Sequence, residues 1–146
     1  MSVAQQEWFE REFARVPRDE WCIVMSHCFY YSSGRKIAGW GWYDARDMID
    51  TFAPLFEKYG VDLVFSGHDH HMELLEKDGV TYTVTGTLGG KLDPERTYTS
   101  PASRWYRSGQ FGFLDVEVSG DNAKLTFRDP YFRELESATV SRARGR

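Results

Sequence analysis

Two short apolar runs, Trp21 to Met25 and Val61 to Phe65, each end in a histidine-bearing turn, and the stretch between them has the pattern of a helix. Apolar runs of this length bounded by turn-forming residues suit strands of a covered sheet. The unbroken character of Trp21 to Met25 predicts a strand buried on both faces. Strand, helix, strand in that order implies a right-handed crossover that lays the two strands side by side and parallel. The helix is expected to start at Asp44 as N-cap, with Asp47 favouring the positive end of the helix dipole. Met48, Phe52, Leu55, Phe56 and Tyr59 form its buried face, Pro54 bends or restarts it, and Gly60 suits a left-handed C-cap.

The rest of the chain reads around that unit. Gln5 to Val16 places Phe9, Phe13 and Val16 on one helical stripe with Trp8 beside it, and Pro17 and Arg18 break the pattern. Met72 to Lys77 and Val80 to Thr85 flank Asp78-Gly79, a hairpin turn whose two positions tolerate positive φ. Gly86 to Ser108 shows no clear period, and a loop of that length packs against something or serves as a lid. Phe111 to Val118 and Ala123 to Phe127 alternate about Ser119-Gly120-Asp121-Asn122 as a second hairpin, and Leu135 to Val140 adds a last edge strand. The fold class is α/β, a mixed β-sheet with one βαβ crossover and C-terminal antiparallel hairpins, in a single domain over residues 1–146.

Composition bounds the partners. Five Trp and ten Phe in 146 residues give ample apolar area for one core, and the net charge of −4 provides no basic field, so nucleic acid is excluded as a default partner. No run approaches the roughly 18 apolar residues of a membrane span, and Met1 to Val16 has acids where a signal peptide has an apolar stretch. The chain therefore reads as soluble, without a membrane partner and with its compartment unassigned. Cys22 suits a small buried strand residue, and it lies too far from Cys28 along an extended strand to bridge it.

The histidines carry the chemistry. The crossover brings His27 near His68 and His70 at the carboxyl edge of the sheet, where open α/β sheets build ligand sites. A His-x-His pair sets two imidazoles on one side of an extended turn, and Gly67 lets the backbone bend enough for both to converge on a metal ion. A lone histidine is more often a satisfied polar residue than a ligand, and shared position is what favours ligation here. His71 alternates away from His70 and reads as a solvent or loop histidine.

Ser26-His27, then Tyr30-Tyr31-Ser32-Ser33-Gly34, then Tyr59-Gly60-Val61-Asp62-Leu63-Val64-Phe65-Ser66-Gly67-His68-Asp69-His70, resemble the C-terminal motifs of the calcineurin-like metallophosphoesterases, in particular the purple-acid-phosphatase-like branch. Gln6-Glu7-Trp8-Phe9, Gly79-Val80-Thr81-Tyr82 through Gly90, and Phe111-Gly112-Phe113 extend the resemblance over nearly the whole chain. It implies half of the family's β-sandwich flanked by helices. It also implies a phosphate ester as substrate, hydrolysed by a metal-activated hydroxide between two ions of manganese, iron or zinc. Carried over by motif, His27 and His68 would ligate one ion and His70 the other. The family's first-half motifs, Asp-x-His, Gly-Asp-x-x-Asp and Gly-Asn-His-Glu, have no counterpart in this sequence ahead of Gly67. Asp62 and Asp69 are the nearest acids, and neither is expected to replace them. Cys28-Phe29 stands where the family more often has a His-Pro step, which removes a substrate contact and leaves Cys28 as a loop thiol or a replacement soft ligand.

Trp40, Trp42, Tyr43, Trp105 and Tyr106 lie in the two long loops and either line a substrate pocket or cover a core; Arg104 and Arg107 stand among them as candidate phosphate contacts. No catalytic acid or base is assigned. Two functional readings follow. In the first, the chain is the C-terminal half of an enzyme, with a bare apolar inner face covered by a complementary N-terminal half or a second copy. In the second, it is a non-catalytic metal-binding or assembly domain holding one zinc or nickel ion on the same scaffold.

Overall fold

The structure is a computed structural model that describes residues 3–37 and 40–142, the side chains of Ile37 and Trp40 excepted. Helix α1 (Val3–Phe13) precedes strand β1 (Ile23–Ser26), and a small hairpin, β2 (Arg35–Ile37) and β3 (Trp40–Trp42), leads to helix α2 (Arg46–Tyr59). Strands β4 (Leu63–Ser66), β5 (Met72–Lys77), β6 (Val80–Thr85) and β7 (Ser103–Arg107) follow. The chain then forms β8 (Phe113–Ser119), β9 (Asn122–Arg128) and β10 (Glu134–Ser141).

A five-stranded sheet in the order β1-β4-β6-β5-β7 is the frame of the molecule. Strand β4 runs parallel to β1 and to β6, as the crossover requires, and β5 is antiparallel to both its neighbours. Both helices pack on one face, where Phe13, Phe52, Phe56, Val61, Val64 and Tyr82 are buried together. Phe56 makes an edge-to-face contact with Tyr30 at a centroid separation of 5.0 Å. The opposite face is covered by the antiparallel sheet β10-β9-β8, whose Ala123, Leu125 and Phe127 pack against Leu63, Met72 and Leu74. Among the described residues, the sheet face opposite the helices is covered rather than bare as expected, because the C-terminal hairpins fold back over it.

Several local expectations hold and others are corrected. Gly60 caps α2 in the left-handed region, Pro54 is accommodated within an unbroken helix, and Asp78 and Gly79 both take positive φ in the hairpin turn. Asp44 is not the N-cap of α2; that position is Ala45, with no side-chain cap. The Asp44 carboxylate instead accepts from the Ser32 N–H and the Tyr98 hydroxyl, tying the two long loops together. The loop after Gly86 also supplies β7, paired with β5. Its Ser-Arg-Trp-Tyr-Arg sequence is half-buried or exposed along its length and shows no alternation from which a strand is legible. Strand β1 is an edge, not a covered strand: Val24 is buried, while Ile23 and Met25 are exposed, Met25 at 80%. Among the described residues no helix is long and apolar enough to cross a membrane.

Phe56 is fully buried between α2 and the sheet. Phe56→Ala should cost about 3–5 kcal/mol of unfolding free energy, read as a lowered urea midpoint with an unchanged slope.

Candidate functional site

Strands β1 and β4 end together, with Ser26 opposite Ser66. The next residues are therefore held side by side, and the Gly67 N–H donates to the His27 carbonyl at 3.2 Å. Gly67 has room on its His27 side, and the sharp reversal falls on the following residue. His68 takes a φ of 65°, a left-handed conformation that costs a non-glycine residue roughly 1–3 kcal/mol and is retained where the surroundings impose it. A hydrogen bond from the Asp69 N–H to the Gly67 carbonyl, 2.8 Å, closes the turn. In this geometry the His27 and His68 rings stand 5.5 Å apart, edge to face. Trp42 lies 4.8 Å and Phe29 5.6 Å from the same His68 ring.

Two of these imidazoles are fixed by hydrogen bonds on one nitrogen. Nδ1 of His68 is 3.1 Å from Oδ1 of Asp69. Asp69 is buried, and its other oxygen accepts from the Ser32 hydroxyl at 2.8 Å. Burial pushes the Asp69 carboxyl above its usual range, and the bonds from Ser32 and His68 act in the opposite sense. Nδ1 of His70 donates to the Lys91 carbonyl at 2.6 Å, since a carbonyl can only accept. The His70 ring lies directly against Gly90, where a β-carbon would stand 2.5 Å from its Cε1. With Nδ1 protonated in this way, the Nε2 lone pair is the one left for a cation, the arrangement by which carboxylates and carbonyls orient metal-binding histidines.

His71 differs most from expectation. It is fully buried, not a loop histidine, with Nε2 3.2 Å from Glu73 and Nδ1 3.3 Å from Asp93. Glu73 is buried too and accepts from the Ser33 N–H at 2.7 Å and the Ser33 hydroxyl at 2.5 Å. Asp93 also accepts from the His70 N–H at 2.7 Å. Tyr106 packs at a tilt against His71, with centroids 4.7 Å apart, and the Arg96 guanidinium lies over the Tyr106 ring. Residues two apart on a strand share a face, so His71-x-Glu73 was a readable signal that the two side chains meet. Its partners Asp93, Ser32 and Ser33 come from distant loops and gave none.

The remaining candidates separate. Trp42 lies against His68, whereas Tyr43 makes a tilted contact with Tyr98 at 4.7 Å and Trp105 packs on Phe127 in the second core. The side chain of Trp40 lies outside the described residues. Arg104 is engaged by Glu76 at 3.2 Å. Asp62 accepts from the Cys22 N–H at 2.9 Å and serves the strand junction. Cys22 is buried, with its thiol pushed up to about 11 by burial and then by the Asp62 charge, and Cys28 is exposed and free.

The calcineurin-like phosphoesterase family profile matches residues 1–72, which include β1, α2, β4 and the His68-Asp69-His70 turn. Purple acid phosphatase 5 of Arabidopsis thaliana is 34% identical over 100 residues, covering 66% of this chain and 24% of that protein. Tartrate-resistant acid phosphatase type 5 of Homo sapiens is 26% identical over 150 residues, covering 97% of this chain and 44% of the relative. The chain belongs to the calcineurin-like phosphoesterase family. It spans less than half the length of these phosphoesterase relatives. In fold it resembles the purple acid phosphatase PPD1 from yellow lupin (Lupinus luteus) seeds, with a TM-score of 0.79, 22% identity and coverage of 96% of this chain and 28% of that one. It also resembles GAP50, the anchor in the inner membrane complex of Plasmodium, with a TM-score of 0.77, 18% identity and coverage of 97% and 43%. Among the described residues, no group of three or more His, Cys, Asp and Glu side chains is arranged as a formed metal site. What the chain does provide is the adjacent imidazoles of His27 and His68, with the Nδ1 atoms of His68 and His70 already engaged.

The His71 network makes stability depend on pH. Burial lowers the His71 pKa, but its hydrogen bonds to Asp93 and Glu73 and the charges of Glu73 and Asp69 outweigh it and raise the value from 6.5 to about 8. A base with a raised folded pKa stabilises the fold fully below 6.5, and the contribution is lost as pH rises through about 8. At about 1.4 kcal/mol per pH unit this amounts to about 2 kcal/mol. Unfolding free energy should fall by that order between about pH 6 and pH 9, and His71→Gln should remove this slope while lowering stability throughout.

Proposed function

We propose that this chain supplies the histidine half of a metal-dependent phosphoesterase centre. The observation that carries the reading is the His27–His68 pair, 5.5 Å apart at the ends of adjacent parallel strands, with His68 held in a strained backbone conformation. Imidazole nitrogens suit manganese, iron and zinc alike. His27 and His68 would hold one cation and His70 a second. Bound there, such ions would polarise a phosphoryl oxygen and make water nucleophilic near neutral pH. Asp69 orients the His68 ring, the Lys91 carbonyl orients His70, and Trp42 covers the His68 face.

Two cations in one centre need bridging negative charge, and the sequence contains none of the family's carboxylate motifs ahead of the His68 turn. In this reading they come from a complementary segment or a second copy docked along β1. That edge is open, with Ile23 and Met25 exposed beside a cavity of about 340 Å³ lined by Trp8, Phe9, Trp21 and Val24. A second reading, a non-catalytic metal-binding or assembly domain, is favoured by the lack of a formed three-ligand group among the described residues. Its fold is shared with an anchor protein.

Zinc titration by calorimetry, paired with hydrolysis of bis-p-nitrophenyl phosphate and its monoester, separates the readings. His68→Ala with His70→Ala should abolish zinc binding, and Asp69→Asn should weaken it by about 10- to 100-fold. Equal affinity in all variants would contradict any role for these histidines. Zinc binding with turnover above the double variant supports the enzyme, whereas zinc binding without turnover supports the second reading.

A further inference from the structure

An apolar groove of about 340 Å³ opens beside the His70 turn. Leu88, Phe111, Phe113 and Pro130 wall it, and Gly112 forms part of its floor. Its volume falls at the lower end of ligand pockets, which run from about 300 to 1,000 Å³. No charged residue lines it. The one lining side chain with a hydroxyl, Thr87, donates to the Gly112 carbonyl at 2.8 Å and is not offered to a guest. That bond also holds the 87–90 loop against the start of β8. Glycine at 112 is required by space, since a β-carbon there would stand 2.5 Å from the Arg128 carbonyl oxygen and 2.7 Å from Met72 Sδ.

The groove adjoins the histidine turn through the Gly89-Gly90 step. Gly89 lines it, and the next residue, Gly90, is the one against which the His70 ring rests. Across the groove, Pro130 belongs to a turn fixed by Asp129, which is buried and accepts from the Tyr131 and Arg133 N–H groups at 2.9 Å each. Leu88, at 81% exposure, and Phe111, at 45%, are thus displayed on a braced rim beside the place where a phosphoryl group would sit.

We infer that this groove is the leaving-group subsite of the phosphoesterase centre, and that it selects phosphate esters of apolar alcohols, aryl esters foremost. The inference rests on the phosphoesterase reading above. The ester's phosphoryl group lies at the histidines, and its apolar group enters over Gly89 and packs between Leu88 and Phe111. An uncharged lining with no free hydrogen-bonding side chain leaves a sugar or a charged alcohol without partners for its polar groups, which disfavours their entry.

The test measures binding to the zinc-loaded chain with 2-naphthyl phosphate, methyl phosphate and 2-naphthol, by calorimetry and by amide chemical-shift mapping. The naphthyl ester should bind at least about tenfold tighter than the methyl ester, and 2-naphthol alone should shift the amides of Leu88, Gly89, Phe111 and Gly112. Leu88→Ser and Phe111→Ser, made separately at exposed positions, should each reduce the preference to about two- to threefold. Equal binding of the two esters by the unmodified chain, or a preference unchanged in both variants, overturns the subsite while leaving the phosphoesterase reading intact. Absence of any shift of the groove amides by 2-naphthol or by the naphthyl ester overturns the subsite, and loss of zinc binding itself overturns the phosphoesterase reading and the subsite with it.

Discussion

Parallel pairing of β1 with β4, in the register that sets Ser26 opposite Ser66, is the constraint on which the rest of the site depends. The pairing is enforced from the helix side: α2 must cross over the sheet to join the two strands, and its Phe52 and Phe56 anchor that crossing in the larger core. Once the strand ends coincide, His27 and His68 have little choice of position. A one-residue slip would turn each side chain to the opposite face of the sheet and separate the rings. The Gly67 to His27 backbone bond then transmits the register into the turn itself.

Beneath the turn lies a buried polar layer that behaves differently from the core around it. One imidazole, His71, is shared between Glu73 and Asp93, while Asp69 and the hydroxyls of Ser32 and Ser33 complete the hydrogen bonds. Groups buried this deeply are tolerable only when each finds a partner. These partners are drawn from β5, the loop after β1 and the loop after β6, so the network clamps three separate segments in one arrangement. Asp69 and Asp93 each have one foot in this layer and one at the histidine turn, through His68 and the His70 N–H. The strained φ of His68 is held from below by the same atoms.

How far the sequence showed this depends on the range of the interactions involved. The crossover, both hairpin turns and the left-handed Gly60 were readable because each is set by residues close in the chain. The approach of His27 to His68 was readable too, since it follows from strand order alone. What escaped were contacts between distant segments. Asp44 looked like a helix cap because its local sequence suits one, yet a loop residue 54 positions away, Tyr98, claimed its carboxylate. Trp21 to Met25 looked covered because the run is uniformly apolar, yet β1 is an edge strand with Met25 exposed. His71 looked solvent-facing because alternation from His70 was applied without asking what Glu73 would meet on the same face. Trp105, grouped with the pocket aromatics by its loop, serves the second core once β7 pairs with β5.

The central claim is that His27, His68 and His70 offer ring nitrogens to a cation, Nε2 in the case of His68 and His70, while His71 is held apart as a buried, protonated imidazole. Long-range proton–nitrogen correlation spectra of the four imidazoles, before and after addition of zinc, test it directly. Expected are Nδ1–H signals for His68 and His70, large zinc-dependent shifts at Nε2 of His68 and His70 and at a ring nitrogen of His27, and a doubly protonated His71 that does not respond. Zinc-dependent shifts at His71, or none at His27 and His68, would contradict it.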